Sequence, residues 1–395
     1  MPRFEPFAAL RYALDLAPFA DLTAPPYDVL SDLDRQHLAD AHPANFVVVD
    51  LPIATAGDDR YTTAARTLQQ WIATGIMTLD DQPSFTLYRM SFTDEAGRDR
   101  HTVGVVGALE VVDDGAGGVL PHERTTPKAK TDRLDLTRAT QANLSPVWGL
   151  STAAGLTDLL TAKGEPVGSL TVDGVTHSVE RVTDPARLTA ISNAVGSHPV
   201  VIADGHHRYA ISRTYRDEIR LATGNTHTSA ELTMTYVGEL IEDQLSIDAI
   251  HRLYSGISAA DLVERFGEFF DLSPAGPITP AFAAETVEHG ALCFVHADGT
   301  GSWMTPKPGA FFAVRSLDGA YLEHALAGVD ADVSYQHGVA NVVEIVTGGA
   351  AAAGVLIRPT SIDEIRHTAD EGTLMPPKST FFTPKLRSGL VVRPL

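Results

Sequence analysis

The run Val200-Val201-Ile202-Ala203, followed at once by Asp204-Gly205-His206-His207-Arg208-Tyr209, constrains this chain more than any other segment. Four small or β-branched apolar residues read as a strand. After Asp204 an apolar residue recurs every fourth position, at Ile211, Tyr215 and Ile219, which is the stripe of a helix. A strand that runs into a helix through Asp-Gly predicts an α/β chain, and the further strands and helices make its sheets mixed.

Such a junction has chemistry of its own. The first N–H groups of a helix lack internal partners and the helix dipole adds positive potential, so anions bind there. Gly205 lets the chain turn and a ligand approach the backbone. Arg208 can clamp a phosphate through two hydrogen bonds, each worth about 1.5–3 kcal/mol when charged. His206 and His207 can donate to phosphate oxygens or move protons near neutral pH. Asp204 can hold a metal ion or orient a histidine. The same letters also fit a plain helix cap with surface histidines. Zinc fits less well, because adjacent histidines face different sides of a helix and the i, i+4 pair is missing.

The bulk of the chain limits what could use such a turn. Its 395 residues are 44% hydrophobic and 20% charged, enough for a folded protein of two or three lobes. Fifty acidic against 30 basic residues give a formal charge of −20, which disfavours nucleic acid and anionic membranes as partners. A single cysteine, Cys293, in an apolar run, allows no internal disulfide. Met1 to Glu5 lack the apolar core of a signal peptide, and no apolar run reaches the roughly 18 residues of a membrane span. These features read as a soluble cytoplasmic protein, leaving open a local basic pocket for a small anion and a homodimer.

Other elements follow from pattern. Phe46–Asp50 reads as a buried strand, 61–74 as a helix with Ala64, Leu68 and Trp71 on one face, and 85–92 and 102–112 as strands. A helix is expected near 130–142, a hairpin over 170–182 about Asp173-Gly174, and a strand over 233–240. Ser258 with Asp261 and Ser361 with Glu364 have the spacing of capping boxes. The expected lobes are 1–120, 121–256 with the turn, and 257–395 with a tail that returns to the core.

Three further polar clusters are candidates. His122-Glu123-Arg124-Thr125 with Lys128, Asp132 and Arg133 combines cations and a carboxylate at a helix start, as phosphoryl transfer requires; it also fits a solvated, salt-bridged helix end. Lys378-Ser379-Thr380 after two prolines gives a rigid loop suited to an anion, or a structural turn. His251-Arg252 is a second anion contact or a helix-surface pair. Asp28, in Ala24-Pro25-Pro26-Tyr27-Asp28, is a base or a turn residue.

The hexad 204–209 resembles the Asp-Gly-His-His-Arg signature of the ParB/sulfiredoxin-like superfamily, in particular its free-serine kinases. The chain is also similar, nearly end to end, to the bacterial family called domain of unknown function 1015. That likeness is carried by Ala24 to Val29, His122 to Thr125 with Lys128, Asp132 and Arg133, Ala203 to Tyr209, and Met375 to Thr380 with Phe382 and Pro384-Lys385. The resemblance implies a ParB/sulfiredoxin-like core, and phosphoryl transfer from ATP or ADP with Mg²⁺ to a small hydroxyl substrate such as L-serine. Asp204, His206, Glu123 and Asp28 would be catalytic, with Asp204 on the metal. Gly205, His207, Arg208 and Tyr209 would hold the nucleotide. Arg124, Lys128, Arg133, His251, Arg252, Lys378, Ser379 and Thr380 would bind substrate or steady charge. A nucleotide switch of the CTP-hydrolysing ParB kind is the alternative. Redox repair of the sulfiredoxin kind needs a cysteine beside the turn, and none is there.

Overall fold

A computed structural model describes residues 1–94, 97–121, 130–376 and 378–395. Their contacts group into two units. The first comprises Met1–Thr93, Asp99–Leu245 and Pro384–Leu395, and the second is essentially Ser246–Thr383. Three sequential lobes were expected instead. Strands from 1–120 and from 121–245 share one sheet, and backbone pairing holds them in a single unit, while 246–256 fall in the second.

Among the described residues that sheet has nine strands. Eight lie in the order Val119–Pro121, Val200–Asp204, Val147–Ser151, Leu232–Glu239, Asp99–Glu110, Phe85–Thr93, Val175–Val182, Glu165–Val172, and Phe4–Glu5 also pairs with Asp99–Glu110. Val200–Asp204 runs parallel to Val119–Pro121, and Leu232–Glu239 runs parallel to Val147–Ser151. The other pairings are antiparallel, so the sheet is mixed and the class is α/β. Phe4, Phe85, Leu109, Val147, Val200, Ile202 and Val237 form a buried cluster with Leu156, Leu160, Ile191 and Val195 of two helices. The hairpin turns where expected, with Asp173 and Gly174 both at positive φ.

A second cluster in this unit joins Tyr12, Phe46, Val49, Leu68, Trp71, Leu136, Leu144 and Val392. Ala64, Leu68 and Trp71 are the buried face of the Arg60–Ala73 helix, as the spacing predicts. Phe46–Asp50, expected as a strand, is instead a helical turn, Val47–Asp50. Its backbone closes on itself, from Asp50 N–H to Phe46 O and from Leu51 N–H to Val47 O. The buried Asn45 side chain accepts the Val47 N–H at 3.0 Å and donates to the carbonyls of Asp21 and Thr23. Burial of Phe46, Val47 and Val49 overrides the β preference of the valines.

The C-terminal segment is stitched to the first unit. Arg393–Pro394 pairs with Ala142–Asn143, Val392 O accepts the Leu10 N–H at 2.9 Å, and Arg387 donates to Thr23.

The second unit has its own six-stranded sheet, in the order Phe270–Pro277, Thr300–Pro306, Leu292–Val295, Ala353–Leu356, Ile250–Ser255, Asp332–His337. Cys293 is buried within it. Ser258 caps Ala259–Phe269, and Ser361 with Glu364 forms a full capping box on Ile362–Asp370. No helix among the described residues is long and apolar enough to cross a membrane.

Candidate functional site

The Val200–Asp204 strand meets the His206–Thr223 helix at Gly205, which has φ +83° in the left-handed region and serves as the N-cap without a side-chain cap. The N-cap is thus a glycine, which has no side chain to cap the first turn, and Asp204 stands one residue before it. A Cβ added at Gly205 would lie 2.9 Å from Nε and 3.0 Å from Cζ of Arg208, so the guanidinium folds back over the glycine. Only glycine satisfies both the φ and that close approach.

Arg208 donates from Nη1 to Pro146 O and from Nη2 to Asp204 Oδ2 at 3.3 Å. Lys385 Nζ reaches the same carboxylate oxygen at 3.4 Å. Burial alone would raise the Asp204 pKa, but Lys385, Arg208 and His206 outweigh it and hold the group well below the usual carboxylate range. The residue is an ionised acceptor between two cations.

A second group of charges lies in the same unit. Arg133 donates from Nη1 to Asp50 O at 2.6 Å and Oδ1 at 3.3 Å, and from Nε to Asp132 Oδ2 at 2.8 Å. Its guanidinium carbon sits 4.1 Å from the centre of the Tyr27 ring, a cation–π contact. Asp50 Oδ2 accepts from Ser388 Oγ at 2.9 Å. Burial pushes the Asp50 pKa up, against the pull of Arg133 and Ser388. A cavity of about 40 Å³ lies between the two groups, lined by Asp50, Arg133, Asn143, Arg208, Ser212 and Thr233. Asp28 is exposed on the Tyr27–Val29 turn, and its charge acts on Tyr27, Asp50 and Arg208.

Of the expected residues, Asp204, Gly205, Arg208, Arg133 and Asp28 thus gather in one unit. His206 and His207 open the helix there, both partly exposed. Tyr209 points into the core instead: its hydroxyl donates to Glu110 O and accepts the Val112 N–H, each at 2.9 Å, and burial pushes its pKa up to about 12. It anchors the helix to the sheet, because a phenol at this place in the first helical turn faces the apolar side. Glu123, Arg124 and Lys128 lie outside the described residues.

His251, Arg252, Lys378, Ser379 and Thr380 belong to the second unit. His251-Arg252 is not a helix-surface pair but lies on the Ile250–Ser255 strand, both residues buried. Burial, then Arg252 and His337, push the His251 pKa down to about 3, and its Nδ1 accepts the Ile357 N–H.

Sequence reasoning missed Asp50, Tyr27, Ser388 and Lys385 as site residues. Asp50 was hidden by the strand reading. Lys385 had a signal, since Pro384-Lys385 is among the segments on which the sequence resemblance was drawn.

The donor set fits Mg²⁺ only in part. No group of three His, Cys, Asp or Glu suited to a metal occurs among the described residues. Asp204 can offer one ionised carboxylate, and an ion that keeps waters and binds phosphates needs only one or two.

The chain belongs to the family described as protein of unknown function DUF1015, which it matches over residues 4–320. No curated protein matches it. Among solved structures it is similar to a free serine kinase in complex with AMP, at 13% identity and TM-score 0.37, covering 67% of this chain and 84% of that one. A conserved hypothetical protein from Pyrococcus furiosus is similar at 12% identity and TM-score 0.36, over 67% and 87%. SbnI from Staphylococcus aureus, truncated at its C-terminus, is similar at 14% identity and TM-score 0.37, over 71% and 84%.

Proposed function

We propose that this protein is a nucleotide-dependent small-molecule kinase with a ParB/sulfiredoxin-like core in its first unit. The Asp204–Arg208 turn holds the phosphates of ATP or ADP, and the acceptor is the hydroxyl of a small substrate, free L-serine first among them. The observation that carries this reading is the convergence of a glycine-capped helix start with Arg208, Lys385 and Arg133 around the carboxylates Asp204 and Asp50. The likeness of residues 204–208 to the free-serine kinase signature supports it.

Phosphoryl transfer needs fixed positive charge on the moving group and a carboxylate near the attacking hydroxyl. Gly205 and the helix N–H groups donate to the phosphate oxygens, while Arg208 and Lys385 turn from Asp204 to the charge that develops in transfer. Asp28, exposed on its turn, takes the hydroxyl proton; Asp50 is committed to Arg133 and Ser388. The bond from the terminal phosphorus to its bridging oxygen breaks, a bond to the substrate oxygen forms, and the shortened nucleotide leaves. Mg²⁺ on the phosphates, with Asp204 as its protein ligand, would neutralise charge on the leaving group.

A thermal-shift screen of ATP, ADP, CTP and GTP with Mg²⁺ tests the binding. Nucleotide at about 100 times its dissociation constant stabilises by about 2.7 kcal/mol. No shift with any of the four rejects the reading. A shift with ATP or ADP but no phosphoserine from L-serine rejects that substrate, and a shift with CTP alone favours a nucleotide switch.

A further inference from the structure

A cavity of about 200 Å³ in the second unit has a charged lining of both signs: Arg252, Arg358, Asp318 and Glu364, with Gly319 and Ser361. The Asp204 turn belongs to the other unit.

Arg252 is 5% exposed on the Ile250–Ser255 strand. It donates from Nη1 to Ile250 O and to Lys378 O, and its guanidinium carbon lies 4.7 Å from the centre of the Tyr335 ring. Lys378 takes φ +59°, the left-handed region, in the loop that supplies that carbonyl. A Cβ on Gly319 would sit 3.0 Å from Arg252 Nη2. Gly319 is in the first turn of the Asp318–Ala325 helix, whose N-cap, Leu317, offers no side-chain cap. The Asp318 carboxylate is turned to Arg358, taking Nη2 at 2.5 Å, Nε at 3.1 Å and its backbone N–H at 2.9 Å. Arg358 and Asp318 thus balance each other, and the remaining lining pairs the Arg252 cation and a helix start with the Glu364 carboxylate. Glu364 holds the Ser361 N–H through Oε2 at 2.8 Å.

The geometry points to a binding site for a small carboxylic acid that carries a hydrogen-bond donor on its α-carbon, an α-amino or α-hydroxy acid. Its carboxylate docks on Arg252 and the first turn of the Asp318–Ala325 helix, and its donor faces Glu364. A carboxylate matches the planar guanidinium fork. The cavity volume falls below the roughly 300–1,000 Å³ of drug-sized sites, which suits a metabolite of amino-acid size. Arg252 and Ser379 line it, polar groups of the sequence that the nucleotide turn leaves unused.

Saturation-transfer NMR on the full chain tests this with three probes on one carbon skeleton, L-alanine, L-lactate and propionate. L-Alanine or L-lactate binds about tenfold more tightly than propionate. Gly319→Glu, which plants a carboxylate beside Arg252 at a helix start that tolerates it, abolishes that binding while the thermal midpoint holds or rises. Arg252→Gln abolishes it too, and Glu364→Gln removes the preference over propionate. Binding by L-alanine identifies the amino acid class and binding by L-lactate the hydroxy acid class. No binding by either, binding that survives Gly319→Glu, or propionate binding as tightly as both overturns the proposal.

Discussion

Lys385 Nζ lies 3.4 Å from Asp204 Oδ2, an ion pair between residues 181 apart in sequence that carries the C-terminal segment to the start of the His206–Thr223 helix. Arg208 shares the same oxygen at 3.3 Å. Two cations on one carboxylate make a place where an incoming phosphate can take over their hydrogen bonds. Lys385→Met should therefore weaken ATP or ADP binding about tenfold or more, the loss of one charged hydrogen bond, with the fold retained because methionine keeps the apolar stem of the side chain. Calorimetric titration checks it; an unchanged dissociation constant removes Lys385 from the site.

The same pair sets an acid limit. Asp204 is depressed in the folded state, so its contribution to stability is present above its unfolded pKa, about 3.9, and is lost as pH falls through the folded value. Lys385→Met reduces the depression. Its acid unfolding midpoint, followed by circular dichroism, should lie at higher pH than that of the wild type; coincident curves would refute the linkage.

Gly205→Ala should cost stability and nucleotide affinity together. The methyl group meets φ +83° and the Arg208 guanidinium at 2.9 Å. A left-handed non-glycine residue costs about 1–3 kcal/mol, and Arg208 must move. Urea denaturation and a thermal-shift titration measure the two losses, and normal binding in a destabilised variant would separate the turn from the ligand.

His177 gives a second pH response, in the opposite half of the sheet. Its Nδ1 lies 2.9 Å from Tyr88 Oη, and burial, with Arg387, pushes its pKa down to about 4. The unfolded value is about 6.5. The unfolded state thus binds more protons between the two, and stability present above pH ~6.5 falls towards pH ~4. His177→Gln should flatten that slope by about one proton, or about 1.4 kcal/mol per pH unit. Denaturation midpoints across this range decide it.

Asn45→Ala should cost about 2 kcal/mol or more by urea denaturation, since it strands the buried Thr23 carbonyl, the half-buried Asp21 carbonyl and the buried Val47 N–H. Asn45→Asp, which cannot donate to those carbonyls when ionised, should not restore the loss.

Local rules made much of the fold legible. The strand–glycine–helix unit at 200–223, the Ala64–Leu68–Trp71 face, the hairpin about Asp173-Gly174 and the caps at Ser258 and Ser361 depend on residues close in sequence, and periodicity and capping report such contacts. The Val47–Asp50 turn escaped because its conformation is set by Asn45 bonds to Asp21 and Thr23 and by burial, neither visible in a run of valines. Tyr209 was misassigned for a like reason: the residues just before it, His206 to Arg208, are polar, while its hydroxyl partners are at 110 and 112.

The sequence by itself determined the strand–glycine–helix turn at 204–208, since a glycine with positive φ between a strand and a helix is a local matter. Only the tertiary structure decided its company. It brought Asp50, Arg133 and Lys385 to the turn's unit and placed His251, Arg252 and Lys378–Thr380 in the other. Charges far apart in a chain come together through strand order and buried packing, and neither is encoded in the spacing of the charged residues themselves.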